Sequence, residues 1–392
     1  IVSPQKDLKP SFVLVISSFL AICTIALNSS ELQAADDADA AKQDIGLISR
    51  IHFATHTPDF DKSRAFYRKL GYTEGMGGFP LTNTHLMARA LGMFDVCQYE
   101  LVKGEVITLP GSLNTASIDL LQFKIPFNDD PPYELPNHLG AAYAALLTTN
   151  LVSDVAYLKS LEADVLSEPY GIPGDRFVFF RDPDGVLYKL METMPPHGDE
   201  KKNMHLIAMP YIGINVSDLE KSLAFYRKFG YTQVKRFEQN ASSIEEARAY
   251  GLDKPFKHKG ADIAIAVGDQ HRLRLIQWIN PYNAEPPYPA PINHIGIHRI
   301  ALLTPNLMHA VNTLKSQGVK FLSEIAPCCT GTADDETAIV HAIDPDGVFL
   351  ELVGGIPKQP LQPHPEHCPP MEIKMPKVDT STHQLEVPMP KE

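Results

Sequence analysis

Residues able to do chemistry gather in few places along this chain. "HPEHC" (364–368) brings two histidines, a glutamate and a cysteine within five positions, a set that could grip a soft metal ion. The five cysteines are Cys23, Cys97, Cys328, Cys329 and Cys368, and their spacing outlines neither a disulfide framework nor a CxxC zinc knuckle. The adjacent Cys328 and Cys329 could close a vicinal disulfide, or one of them could be buried as a small hydrophobe. "NVS" (215–217) and "NAS" (240–242) fit the glycosylation acceptor rule, which matters only in a eukaryotic secretory host. No GxxxxGK[ST] phosphate loop, no GxGxxG fingerprint and no GxSxG elbow is present.

The bulk composition sets the frame for these residues. The chain has 392 residues, 44% of them hydrophobic and 21% charged, enough for two or three domains with ordinary cores. A formal net charge of −12 argues against sequence-independent nucleic-acid binding and against attraction to anionic membranes. Lys6 and Lys9 precede the apolar run 11–27, and small residues stand at Ala34 and Ala35. A cationic start, an apolar stretch and a small-residue site describe a secretory signal over 1–35, with a secreted or periplasmic mature chain and no stable membrane insertion after cleavage. The alternative is an uncleaved anchor helix. Residues 356–392 hold nine prolines in 37 positions and read as a flexible or polyproline extension.

Between these ends the chain writes itself twice. "DFDKSRAFYRKLGYTE" (59–74) aligns with "DLEKSLAFYRKFGYTQ" (218–233), and "ARALGM" (88–93) with "ARAYGL" (247–252). "QFKIPFNDDPPY" (122–133) matches "QWINPYNAEPPY" (277–288), "NHLGAAYAALLTTNL" (137–151) matches "NHIGIHRIALLTPNL" (293–307), and "RDPDGVLYKL" (181–190) matches "IDPDGVFLEL" (343–352). The landmarks recur in order, so two whole modules, 48–196 and 205–355, are duplicated. Each module divides again. Residues 50–57 alternate as a strand, Asp59 is placed to cap a helix, Phe60, Tyr67 and Leu70 recur at helical spacing, and Gly71 ends it. Asp218, Leu219, Leu223, Tyr226 and Gly230 repeat the pattern. A strand at 142–149, a helix at about 152–162 and a hairpin of 176–180 with 186–192 across "DPDG" make the second half; in that turn Pro fixes one φ and Gly accepts a positive one. The phenylalanines and tyrosines of the repeat are therefore scaffold, marking four βαβββ units.

The "DxxKSxAFYRKxGY" opening, the closing "DPDG" hairpin and the four-unit layout, over 48–355, resemble the vicinal-oxygen-chelate superfamily of glyoxalases, bleomycin-resistance proteins and extradiol dioxygenases. The resemblance implies an α+β fold with tandem modules whose four units form two curved-sheet cups. It leaves the reaction open, because that fold hosts isomerases, lyases, epimerases, dioxygenases and metal-free binding proteins.

In that family each unit turns up to two side chains toward one metal, commonly a His on the first strand and a Glu on the last. Carried over by position, the first strands of the four units give His52, Tyr143, Tyr211 and Arg299, and the last strands give Asp119, Lys189, Arg274 and Glu351. If each module closed on itself, neither would hold a full ligand set, because arginine cannot ligate. If the units swap, one cup holds His52, Asp119, Arg299 and Glu351, and the other holds Tyr143, Lys189, Tyr211 and Arg274. His52, Asp119 and Glu351 could then hold a divalent Fe, Mn, Zn or Ni ion that grips a small oxygenated substrate, with Glu351 or His56 moving protons. The competing reading is a metal-free protein that binds or sequesters a small anionic or aromatic compound through Tyr143, Lys189, Tyr211, Arg274 and Arg299. A third is a structural role with degenerate cups. N-terminal sequencing of exported protein is expected to begin near Ala35 or Asp36; a mature end still carrying 11–27 would reject the signal-sequence reading.

Overall fold

The computed structural model describes residues 44–77, 79, 83–113, 116–193, 203–239, 241–328 and 336–357. The expected signal segment, the proline-rich tail with "HPEHC", and Cys23, Cys329 and Cys368 lie outside the described residues. Among the described residues no helix is long and apolar enough to cross a membrane.

The first unit runs β1 (Ser49–His56), α1 (Phe60–Lys69), β2 (Glu74–Met76), α2 (His85–Ala90), β3 (Glu100–Thr108) and β4 (Ser117–Ile125). The second runs β5 (Gly140–Thr148), α3 (Leu151–Ser160), β6 (Asp164–Val165), β7 (Phe177–Arg181) and β8 (Leu187–Glu192). The third runs β9 (Leu206–Asn215), α4 (Leu219–Arg227), β10 (Gln233–Gln239), α5 (Ile244–Ala249), β11 (Lys257–Ala264) and β12 (Arg272–Asn280). The fourth runs β13 (Arg299–Leu303), α6 (Leu307–Ser316), β14 (Lys320–Phe321), β15 (Ala326–Pro327), β16 (Thr337–Ile343) and β17 (Phe349–Gly355). In every unit the first strand lies parallel to the last, as a strand–helix crossover requires.

The long helices form where the sequence signals them. Asp59 accepts from the Lys62 amide and Asp218 from those of Glu220 and Lys221, which satisfies donors that a helix start leaves free. Gly71 at φ +105° ends the first helix by taking a left-handed conformation that costs a residue with a Cβ more.

The units pair across the duplication, in the swapped arrangement. The first sheet has the strand order β14-β16-β17-β13-β1-β4-β3-β2, joining units 1 and 4, with β15 on β16. The second has the order β10-β11-β12-β9-β5-β8-β7-β6, joining units 2 and 3. The seams are antiparallel pairs of first strands, β1 on β13 and β5 on β9. Two repeated loops cross where the sheets are joined. Tyr133 stacks on Tyr288 at 4.7 Å, Asn137 donates to the Pro281 carbonyl, Asn293 donates to the Pro126 carbonyl, and the Leu139 amide donates to Glu285. The "PPY" and "NH" repeats are this clasp.

Within each module a different bond holds successive units together. Tyr67 on α1 donates its hydroxyl to Asp182 of the unit 2 "DPDG" turn at 2.5 Å, and Ser63 donates to Asp184. In the second copy Tyr226 donates to Asp344 at 3.2 Å and Ser217 to Asp346. Asp344 also accepts the amides of Asp346 and Val348, so one carboxylate builds the turn and receives the helix. Rings from α1 and α4 and strands of both sheets, Tyr67, Tyr226, Phe53 and Ile300 among them, share one buried core. The other strand faces line two separate cups.

Burial, reinforced by Asp346, pushes the Asp344 carboxyl up to about 7. A carboxyl raised on folding adds stability that is full below its ordinary value and is lost as pH rises through 7. Thermal unfolding of the native chain is therefore expected to weaken from pH 5 to pH 8. Asp344→Asn, which keeps the accepting oxygen, should remove roughly 2 kcal/mol of that decline; an unchanged pH slope in this variant would contradict the assignment.

Candidate functional site

The first cup gathers its polar floor from four strands. The register sets Ala54 opposite Arg299 across the seam, Ala54 beside Asp119 on β4, and Ala301 beside Glu351 on β17. Arg299 donates from Nε to Glu351 Oε2 at 2.9 Å and from Nη2 to Asp119 Oδ2 at 2.6 Å. His52 Nε2 lies 3.6 Å from the same Glu351 oxygen. His341, opposite Glu351 on β16, stands 4.0 Å from Oε1 and is buried. Burial alone would raise the Glu351 carboxyl, but the Arg299 guanidinium, with His52 and His341, outweighs it and holds Glu351 far below the usual carboxylate range. Burial raises Asp119, and Arg299 offsets this only in part. Burial pushes His341 down to about 4, so it is neutral at physiological pH.

Above this floor is a cavity of about 490 Å³. Its walls are mainly apolar, with Met76, Met87, Leu91, Leu101 and Val106 from unit 1 and Ile339 and Val353 from unit 4. Cys328 is at its edge and, like Cys97, is disulfide-bonded, so Cys328 is not the free buried thiol that was one expectation.

A divalent ion does not fit this floor while Arg299 holds its place. The guanidinium bridges the two carboxylates, holds one oxygen of each, and would repel a dication. Among the described residues no three His, Cys, Asp or Glu side chains are grouped so as to hold a metal. The swap does bring His52, Asp119 and Glu351 together, with arginine where the ion would stand. His56, expected on the same face, does not line the cavity. It packs on Phe123 and Phe127 with Nδ1 3.2 Å from the Phe123 amide, and burial pushes it down to about 4. His341 was missed by sequence reasoning. Its signal was its place three residues before "DPDG", on the strand paired with that of Glu351.

The second cup brings Tyr143, Lys189, Tyr211 and Arg274 together, but most of their chemistry is used internally. Arg274 forms a bidentate pair with Asp262 at 2.6 and 2.9 Å and donates to Tyr211. Lys189 is buried among rings, with Nζ 3.9 Å from the Phe177 centroid and 5.2 Å from that of Tyr250. Burial and Arg274 push its ammonium down to about 7. The cup is filled because three positions carry larger residues than their copies: Tyr250 for Leu91, Phe177 for Ile339 and Phe179 for His341. Gly213 makes room, since a Cβ there would meet the Tyr143 ring at 2.6 Å. Asn215 of "NVS" is buried with its amide donating to two carbonyls, so it offers no glycosylation acceptor.

Residues 208–352 match the family model described as Glyoxalase/Bleomycin resistance protein/Dioxygenase superfamily. No curated protein sequence matches the chain. Among solved structures, glyoxalase I from Zea mays is 17% identical, covering 78% of this chain and 92% of its own at a TM-score of 0.46. A glyoxalase family protein from Bacillus cereus is 18% identical, covering 41% of this chain and all of its own at 0.32. A Mn(II)-bound glyoxalase from Novosphingobium aromaticivorans is 12% identical, covering 81% and 86% at 0.26. The fold and its site define a protein with paired βαβββ units and open cups. The second module thus carries the match to the glyoxalase, bleomycin-resistance and dioxygenase superfamily, and the internal duplication repeats the same unit layout over the first module.

Removing the floor cation tests the arrangement. Arg299→Met should cost about 3–5 kcal/mol, because two buried carboxylates lose the guanidinium that bridges them. The sign with pH is set by Glu351. Its depressed value adds stability above the ordinary carboxylate range that is lost on acidification, whereas in the variant mutual repulsion raises both carboxyls. Urea unfolding should therefore show a smaller gap between variant and native chain at pH 5 than at pH 8. A gap that widens on acidification would contradict the bridge.

Proposed function

We propose that the chain is a metal-independent binding protein of this superfamily, whose first cup takes a small, mostly apolar, uncharged compound bearing a hydroxyl or carbonyl group. The observation that carries the reading is the Arg299 guanidinium fixed between Asp119 and Glu351 at the floor of the 490 Å³ cavity. A cavity of this size suits a one- or two-ring compound. Its apolar walls supply most of the affinity through burial. The floor holds two carboxylates and one guanidinium, so it carries no spare positive charge for an anion. This favours a neutral ligand whose polar group bonds to His52 or to the edge of the Arg299 bridge.

Proton transfer is not part of this reading. Glu351 is held ionised by Arg299 and is a poor base, and His56 lies outside the cavity. We also propose that the protein works outside the cytoplasm. The cationic, apolar and small-residue pattern of 1–35 supports this, and so do the disulfide-bonded Cys97 and Cys328, since such bonds persist in oxidising compartments.

Calorimetric titration with 1-naphthol in the presence of EDTA tests the reading. Binding at one site is expected with chelator present. Leu91→Tyr combined with Ile339→Phe, which imports the residues that fill the second cup, should weaken it by about tenfold or more. Binding that needs an added divalent metal, or equal affinity for the anion 1-naphthoate, would overturn it.

A further inference from the structure

We propose that the second cup holds a separate site for a small aromatic monoanion, on the β10–β12 side of its sheet. This goes beyond the first-cup reading and does not rest on it. Although rings fill the centre of this cup, a cavity of about 310 Å³ remains at its β10–β12 end. Phe237, Tyr143, Tyr250 and Ile276 give it ring and apolar walls. The polar walls are Lys235, Arg236, Arg274 and His258 against one carboxylate, Asp262.

The charges can be followed pair by pair. Arg274 and Asp262 cancel in their bidentate pair, and Arg236 is matched by Glu220 at the surface. No carboxylate pairs with Lys235 among the described residues, and Lys189 stands behind the Tyr250 wall. The balance is positive, the reverse of the first cup. The proton affinity of His258 points the same way. Burial lowers it most, a contact with its own backbone offsets this in part, and Lys189 and Arg274 lower it further, to about 4. His258 is thus neutral. It is 6% exposed, and its Nδ1 has no hydrogen-bond partner among the described residues. A buried imidazole nitrogen without a partner costs free energy that a ligand bond could recover. Arg274 lies over Tyr211 at 4.2 Å and Phe237 at 5.2 Å, so guanidinium and ring form one stacking surface. Positive charge beside stacked rings recognises an aromatic carboxylate better than inorganic phosphate or a neutral ring.

The chain carries its own reporter. Its single tryptophan, Trp278, packs on His258 with centroids 5.4 Å apart. Titration of the full chain with benzoate, read by Trp278 fluorescence, should give a saturable one-site change. Benzamide, the neutral analogue, should bind about tenfold more weakly, and so should benzoate to Lys235→Glu, a surface change that leaves the core intact. His258→Phe, which keeps the ring packing, should also weaken benzoate. The combined Leu91→Tyr and Ile339→Phe variant should bind it as the native chain does, so failure of the first-cup reading and of this one are distinguishable. No saturable change, equal binding of benzamide, an unaffected Lys235→Glu variant, or loss of the signal in the first-cup variant would each overturn the proposal.

Discussion

The antiparallel seam between β1 and β13 is the contact on which the first cup depends. It sets Arg299 beside Ala54, and β4 and β17 flank the pair on either side. Asp119 and Glu351 therefore meet one guanidinium from opposite directions. Three buried charges are tolerable only in such an arrangement, because an ion taken out of water must find its partner inside. Had each module closed on itself, Arg299 and Arg274 would have shared a cup with Glu351, and Asp119 would have faced Lys189 across a different seam. The swap sorts the charges into one floor whose cation is met by two carboxylates and one cup with spare positive charge.

The duplication divides cleanly into what stayed and what changed. The bond from the tyrosine hydroxyl to the first "DPDG" carboxylate is made alike in both copies, whereas the second carboxylate is met by Ser63 of the helix in one copy and by Ser217 ahead of the helix in the other. The loop clasp is made by both copies together. Those contacts build a frame, and losing the tyrosine hydroxyl in either copy would cost a buried carboxylate one of its partners. The cup-facing positions carry no such tie. Leu91 and Tyr250, Ile339 and Phe177, His341 and Phe179 fill equivalent places with different volumes, so one cup is open and the other is packed.

The two cups also differ in how they use a buried cation. Arg299 is delocalised and planar, and it bridges two carboxylates while remaining charged. Among the described residues Lys189 forms no ion pair and is surrounded by aromatic faces, and burial lowers its proton affinity instead. One cup keeps a charge and satisfies it, and the other lets the charge weaken.

The sequence by itself determined the four units and their elements. A capping aspartate, helical spacing of aromatics and a glycine stop are local signals, and each acts within a few residues of its own position. The eight cup positions came from the family resemblance carried over by position, and the one residue added by strand alternation alone, His56, packs outside the first cavity. What the sequence left open was which units share a sheet, since both pairings satisfy the same strand patterns. Only the tertiary structure decided that, through the β1–β13 seam and the crossing loops, where residues far apart in the chain, 144 positions for Asn137 and Pro281, must touch. The same holds for the role of Arg299. From its position it could be a free clamp or stand beside a metal. Packed between Asp119 and Glu351 it is neither, because its charge is already matched by two buried carboxylates that no local pattern could have assigned to it.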